Sequence, residues 1–402
     1  MTRVDCIRGC RRSLDEHSDR QIKARVAQVP MTTSLRLTIS FGIVVLTVMA
    51  IGLRLQAGPG EVSGWDAKAA ATYLDGRAEW WTTWPNASRD RGTYCMSCHT
   101  TLPYALARPA LRAQLGEHEP SAAEQKIFTN LLTRARSWRD VEPWYPDQTR
   151  GIPKTSESRA IEAVMNALVI VRHDAATTGH LSGDGRTALD VMWSLQMKIG
   201  PNSGAWTWLN FNLEPWESPN SPYFGASLAA LAVGSAPDAY ASAPEVQQNL
   251  NALRGYFARE HSKVALLNQL MGMWASGRIP DLLTTEQRQS TIDATFALQQ
   301  PDGGWSTTSL GSYKRVDNTP NDTRTDGYAT ALATLALQEA GVAATDSRIA
   351  KGLEWLRRNQ DRATGRWPAA SLNKERDPAS EPSKFMSDAA TAYAVMALTY
   401  AK

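Results

Sequence analysis

Cysteine is scarce: this 402-residue chain holds four, and none follows Cys98. Cys6 and Cys10 lie on one side of a hydrophobic segment, Cys95 and Cys98 on the other, so no disulfide framework is implied. Charge imbalance is small, at +3, and no basic stripe interleaved with aromatics occurs, which argues against nucleic acid as a partner. Hydrophobic and charged fractions of 43% and 21% are ordinary for a globular protein. The length suffices for one large core or two ordinary ones. Tryptophan is the abundant residue, with 14 copies that need an explanation.

Residues 37–53, LTISFGIVVLTVMAIGL, run without a charge between Arg36 and Arg54. This length fits a signal-peptide core or a short membrane anchor. Residues 1–36 carry eight Lys or Arg against four acids, so positive charge stays inside and the chain beyond residue 54 is exported. Leu55-Gln56-Ala57 is a mediocre cleavage site, which favours an anchor. Met31 is an alternative start. The expected organisation is a basic segment at 1–36, an anchor or signal at 37–54, a linker at 55–65 and a folded region at 66–402. The expected location is the periplasmic side of an inner membrane.

A repeat is hidden in the tryptophans. Residues 351–367 (KGLEWLRRNQDRATGRW), 292–305 (IDATFALQQPDGGW) and 189–206 (LDVMWSLQMKIGPNSGAW) share a plan. Each is an amphipathic helix ending near a Gln, then a short loop, then Gly-x-Trp. Each precedes a helix of small residues: 387–400, 325–338 and 221–234. Residues 155–170 form a fourth such helix.

Apolar periodicity predicts six helix pairs. They are 66–84 with 99–115, 121–139 with 157–173, 185–198 with 221–234, 244–260 with 262–276, 284–300 with 326–340, and 346–360 with 387–401. Charged first helices belong outside and Ala-rich second helices inside. The predicted fold is therefore all-α, an (α/α)6 toroid.

Lys351, Gly352, Trp355, Leu356, Gln360, Gly365 and Trp367 match the QW motif, and residues 299–305 match nearly as well. The chain thus resembles the squalene cyclase and protein prenyltransferase superfamily over roughly 66–402. That resemblance implies an (α/α)6 barrel with a central cavity, in which Trp305 and Trp367 are structural staples. Squalene-type cyclases use an Asp-x-Asp-Asp motif, which this chain lacks, and protein prenyltransferases use an Asp/Cys/His zinc site near the C-terminus, where it has no Cys. Fold alone does not carry either activity.

Cys95-Met96-Ser97-Cys98-His99 is a c-type haem-attachment pattern. Two thiols two residues apart reach the two vinyl groups of one haem, and the adjacent His supplies an axial nitrogen. A chance match, a redox dithiol and half of a zinc site are the competing readings. A dithiol of the thioredoxin type needs a βαβ context, and zinc needs further ligands, for which only His118, His173, His180 and His261 remain on the exported side. Met386 is the best candidate for a sixth iron ligand, beside His99.

The long connections, 85–98, 140–156, 199–220, 301–325 and 361–386, all fall within pairs and so share one rim. The motif occupies the place of a Gly-x-Trp loop there. Glu157, Asp326 and Asp388 start inner helices at the same rim, as N-terminal caps or as catalytic acids. The loop 206–218 adds Trp206, Trp208, Asn210, Glu214, Trp216 and Glu217, as packing or as a lid. The expected function is haem c binding with electron transfer to a redox partner protein docked at 140–156. Its sharper form is an oxidoreductase on an apolar ligand in the cavity. The alternative is a lipid- or isoprenoid-handling protein without cyclase chemistry; a third class, a partner-docking toroid, requires a filled cavity.

Overall fold

The inner helices run as a closed circuit. In this computed structural model, residues 64–140 and 151–400 are described, with side chains from 157 onward in the second block. The hydrophobic segment 37–54, Cys6, Cys10 and most of 140–156 lie outside the described residues. Among the described residues there are twelve α-helices and no strands, only two isolated bridges. No described helix is long and apolar enough to cross a membrane.

In chain order the helices are α1 (Ala67–Thr83), α2 (Thr101–Leu115), α3 (Ala122–Arg136), α4 (Gly151–Thr177), α5 (Gly183–Ser194) and α6 (Ser221–Ser235). The second half has α7 (Gln247–Glu260), α8 (Leu266–Ser276), α9 (Thr285–Ala297), α10 (Gly327–Glu339), α11 (Ser347–Arg358) and α12 (Phe385–Leu398). Each even-numbered helix packs on the next, and α12 packs on α2. This is the contact pattern of an α/α toroid with the odd-numbered helices outside.

Composition explains the sorting. All of α10 is buried, because Ala, Gly and Thr let neighbouring helices approach from every side. On the outer α9 only Thr291 and Thr295 are buried. Outer α11 buries one stripe, Ile349, Gly352, Leu353, Trp355 and Leu356.

Two helices start earlier than their periodicity suggested. Helix α4 begins at Gly151, since Pro153 is tolerated in a first turn. Glu157 is therefore its seventh residue and not a cap. Helix α12 begins at Phe385, continuing the 3-10 turn Glu381–Lys384, so Asp388 is likewise inside the helix.

The Trp staples repeat atom for atom. Gln196 Nε2 donates to Gly204 O and Asn249 O, both at 2.9 Å, and Gln299 Nε2 donates to Gly303 O and Arg348 O, both at 2.8 Å. Gln360 Nε2 donates to Gly365 O and Asp66 O, both at 2.9 Å. Trp206, Trp305 and Trp367 are fully buried and donate to Met192 O, Thr295 O and Leu356 O at 2.7–2.8 Å. Each such ring removes roughly 150–250 Å² from water, about 4–6 kcal/mol.

The centre of the ring is filled. Trp216 meets Tyr328, Tyr328 meets Tyr393, and Tyr393 meets Trp274, with ring centroids 5.6–6.0 Å apart. Tyr328, Tyr393 and Trp274 are at most 2% exposed. The resemblance implied a central cavity, yet α10 has no face open to one.

Candidate functional site at the loop rim

The Cys95–His99 segment is clamped on several sides. Trp81 Nε1 on α1 donates to Cys95 O at 2.7 Å. In the other repeats a loop Trp donates to an outer-helix carbonyl, so here the same bond runs in the opposite direction. Asn130 on α3 pairs with both backbone groups of Tyr94, at 2.9 and 3.0 Å. Ser97 Oγ accepts from Thr100 N and Thr101 N, while Thr101 Oγ1 accepts from Ser97 N at 2.8 Å. Ser97, inside the motif, thus ties down the turn that leads into α2, whose N-cap position is Thr100.

Both thiols are free and buried. Burial pushes Cys95 up to about 12 and Cys98 well above its ordinary value. Neutral thiols are poor nucleophiles, which weakens the redox-dithiol reading. Among the described residues no three His, Cys, Asp or Glu side chains gather to hold a metal ion, which weakens the zinc reading equally.

His99 is the group the site is built around. Phe385 stacks on its ring at 3.9 Å, Trp81 meets it edge-on at 5.2 Å, and Trp216 lies at 5.5 Å. Its Nδ1 lies 2.8 Å from Thr100 Oγ1, which donates to Asp388 Oδ2 at 2.7 Å. Asp388, 1% exposed, also accepts from Tyr73 OH at 2.7 Å and Arg77 Nε at 2.8 Å. Arg77 in turn pairs with Glu381. Burial raises the Asp388 carboxyl above its ordinary value, and the Arg77, Tyr73 and Thr100 bonds oppose that rise.

A hydroxyl has one proton. Thr100 gives it to Asp388, so His99 Nδ1 must be the N–H donor and Nε2 carries the lone pair. Burial, with Arg77 and Arg376 acting in the same sense, pushes His99 down to about 3. The ring is a neutral imidazole in one fixed tautomer.

His99 lies in the wall of a cavity of about 170 Å³. The apolar wall includes Trp81, Met96, Ile161, Leu209, Trp216, Phe385 and Met386, and the polar wall Glu214, Glu217, Asn373 and Arg376. Burial raises the Glu214 carboxyl. Asn373 holds the 206–218 loop in place, accepting from Glu214 N at 2.7 Å and donating to Glu214 O at 2.8 Å.

The site residues expected from sequence therefore divide. Cys98, His99, Glu214 and Met386 line the cavity, whereas Cys95 is buried beside it. Asp388 acts on His99 through Thr100. Asp326 is the N-cap of α10, accepting from Tyr328 N, Ala329 N and both Thr307 donors. That saturated set makes it structural. Glu157 is outside both cavities, one turn before Ile161. His261 is a satisfied core histidine between Tyr223 OH and Thr291 Oγ1.

Sequence reading missed Thr100, Arg77, Arg376 and Asn373. One signal was available: Tyr73, Arg77 and Trp81 sit at i, i+4 and i+8 on α1, which places an arginine in a buried stripe.

Residues 268–401 match the squalene-hopene cyclase C-terminal domain family, a third of the chain running from α8 through α12. No curated protein matches the chain. The Cys95–His99 segment lies outside the matched region. Over this region the chain is similar to that family, and the closed circuit of inner helices is consistent with the α/α toroid of the squalene cyclase and protein prenyltransferase superfamily.

Proposed function

We propose that this protein is a squalene cyclase-like toroid without cyclase chemistry that holds a short isoprenoid or lipid-type ligand in the rim cavity. The observation carrying this reading is the largely apolar cavity at His99, beside inner helices packed together through aromatic rings. A cavity of about 170 Å³ is smaller than the roughly 300–1,000 Å³ that encloses drug-sized ligands. It excludes a thirty-carbon chain and suits a short apolar group. Trp81, Trp216 and Phe385 in its wall give that group apolar contacts, and the neutral His99 in the same wall offers a base or acceptor.

Titration with geraniol, read by the fluorescence of Trp81 and Trp216, tests this reading. Saturable quenching that Trp216→Phe weakens is expected. A linear response, identical in the variant, would reject it.

A second reading rests on the same imidazole: covalent haem c, which Cys95 and Cys98 would attach and which His99 and Met386 would hold. It is supported by Cys98, His99 and Met386 sharing the wall of one cavity. Space is the difficulty, because the macrocycle exceeds the cavity and has to extend into the neighbouring groove of about 830 Å³. Haem would supply one-electron chemistry with an external redox partner. The chain's own contribution would be the Asp388–Thr100 pair, which fixes the His99 tautomer. Expression with a cytochrome c maturation system tests it: a haem absorbance that survives denaturation and disappears in Cys95→Ser is expected. A colourless protein would reject this second reading and leave the first intact.

A further inference from the structure

The cavity at His99 and the larger groove share a wall, formed by Ser371 and Arg376. The groove is rich in cations whose charges are unevenly matched. Arg324 pairs with Asp322 at 2.6 Å. Asp326 is saturated by Thr307 and the start of α10. Arg315, 8% exposed, donates to Ser371 O, Pro320 O and Thr319 Oγ1, all neutral acceptors.

Arg366 and Arg376 have no carboxylate at ion-pairing distance among the described residues, and Arg366 Nε is buried without a hydrogen-bond partner. Both side chains are half-buried, and a guanidinium partly drawn out of water favours an anion beside it. Its planar fork matches a carboxylate or a phosphate.

We propose that the groove and the cavity are one site for a short-chain anionic amphiphile. Arg366 and Arg376 receive its carboxylate or phosphate head, and its tail lies beneath Trp216 and Phe385. This inference rests on the rim cavity being the ligand site, and adds the head-group chemistry.

Calorimetric titration of the full chain at low ionic strength, with octanoate, octan-1-ol and inorganic phosphate, tests it. Octanoate is expected to bind at least tenfold tighter than octan-1-ol, and phosphate weakly. Arg376→Gln, on a half-exposed loop, is expected to lower octanoate affinity at least tenfold more than octan-1-ol affinity, and Arg376→Lys to restore part of the difference. Equal affinity for octanoate and octan-1-ol would overturn the head-group inference alone. Phosphate binding as tightly as octanoate would overturn the amphiphile in favour of a free anion. Failure of both eight-carbon ligands would reject the rim-cavity reading itself.

Discussion

Gln360 and Asp66, 294 positions apart, close the outer ring of helices: the Gln360 side chain accepts from Asp66 N at 2.6 Å and donates to Asp66 O at 2.9 Å. The same glutamine holds Gly365, whose φ is +78° and whose added Cβ would lie 2.2 Å from Ala69 O. The last repeat thereby grips the first turn of α1, as earlier repeats grip α7 and α11.

Gly365→Ala is therefore expected to be far more damaging than Gly341→Ala, although Gly341 also has a positive φ, of +91°. Gly341 faces open space, so its substitution carries only backbone strain of about 1–2 kcal/mol. Gly365 adds a backbone clash, for a total of about 3–5 kcal/mol. Chemical denaturation of the two variants checks the difference, and equal losses would contradict the staple.

Asp388→Asn is expected to lower stability by about 3 kcal/mol, since it removes the charge facing buried Arg77. Arg77→Leu together with Asp388→Leu should recover much of that loss. A single variant as stable as the parent would mean that the Arg77–Asp388 pair is not a paired buried charge.

Thr100→Val removes the hydroxyl between His99 and Asp388 with little change of shape. Nitrogen-15 NMR of the imidazole should show one tautomer, protonated at Nδ1, in the parent and a mixture in the variant. A single unchanged tautomer in Thr100→Val would show that something other than Thr100 fixes the ring.

Acid should weaken the fold in a defined way. His99 is pushed down to about 3 and His261 to about 4 by burial, both below the ordinary 6.5. Below pH 6.5 the unfolded chain takes up protons that the folded protein does not, so stability falls as pH drops toward 4. Each histidine contributes a slope of about 1.4 kcal/mol per pH unit. His99→Gln should reduce the slope by one such share; a curve parallel to the parent's between pH 4.5 and 6.5 would contradict a buried neutral His99.

Much of the fold was legible in the sequence, because helical periodicity and the Gln–Gly–Trp spacing are local signals. The six pairs and the shared rim followed from them. Residue choice at 153 shifted one boundary: a proline that reads as a break serves instead in the first turn of α4, which displaced Glu157 from any cap. The filled centre was not legible, since it depends on how Tyr328, Tyr393 and Trp274 from three helices meet. The Thr100–Asp388 bond joins residues 288 apart, and no local pattern announces it. Within the candidate site, the motif drew attention to His99, which lies in the cavity wall. What fixes the ring, and what lies around it, came only from tertiary packing.

The most direct test of the account is where a ligand binds. A ten-carbon prenyl alcohol bearing a diazirine would be photolysed with the full chain, and the adducts mapped by mass spectrometry. The account predicts labelling at 96–99, 209–217 and 371–386, lost in competition with geraniol. Labelling concentrated on α6 and α10, deep in the ring, would contradict it and return the function to a central cavity.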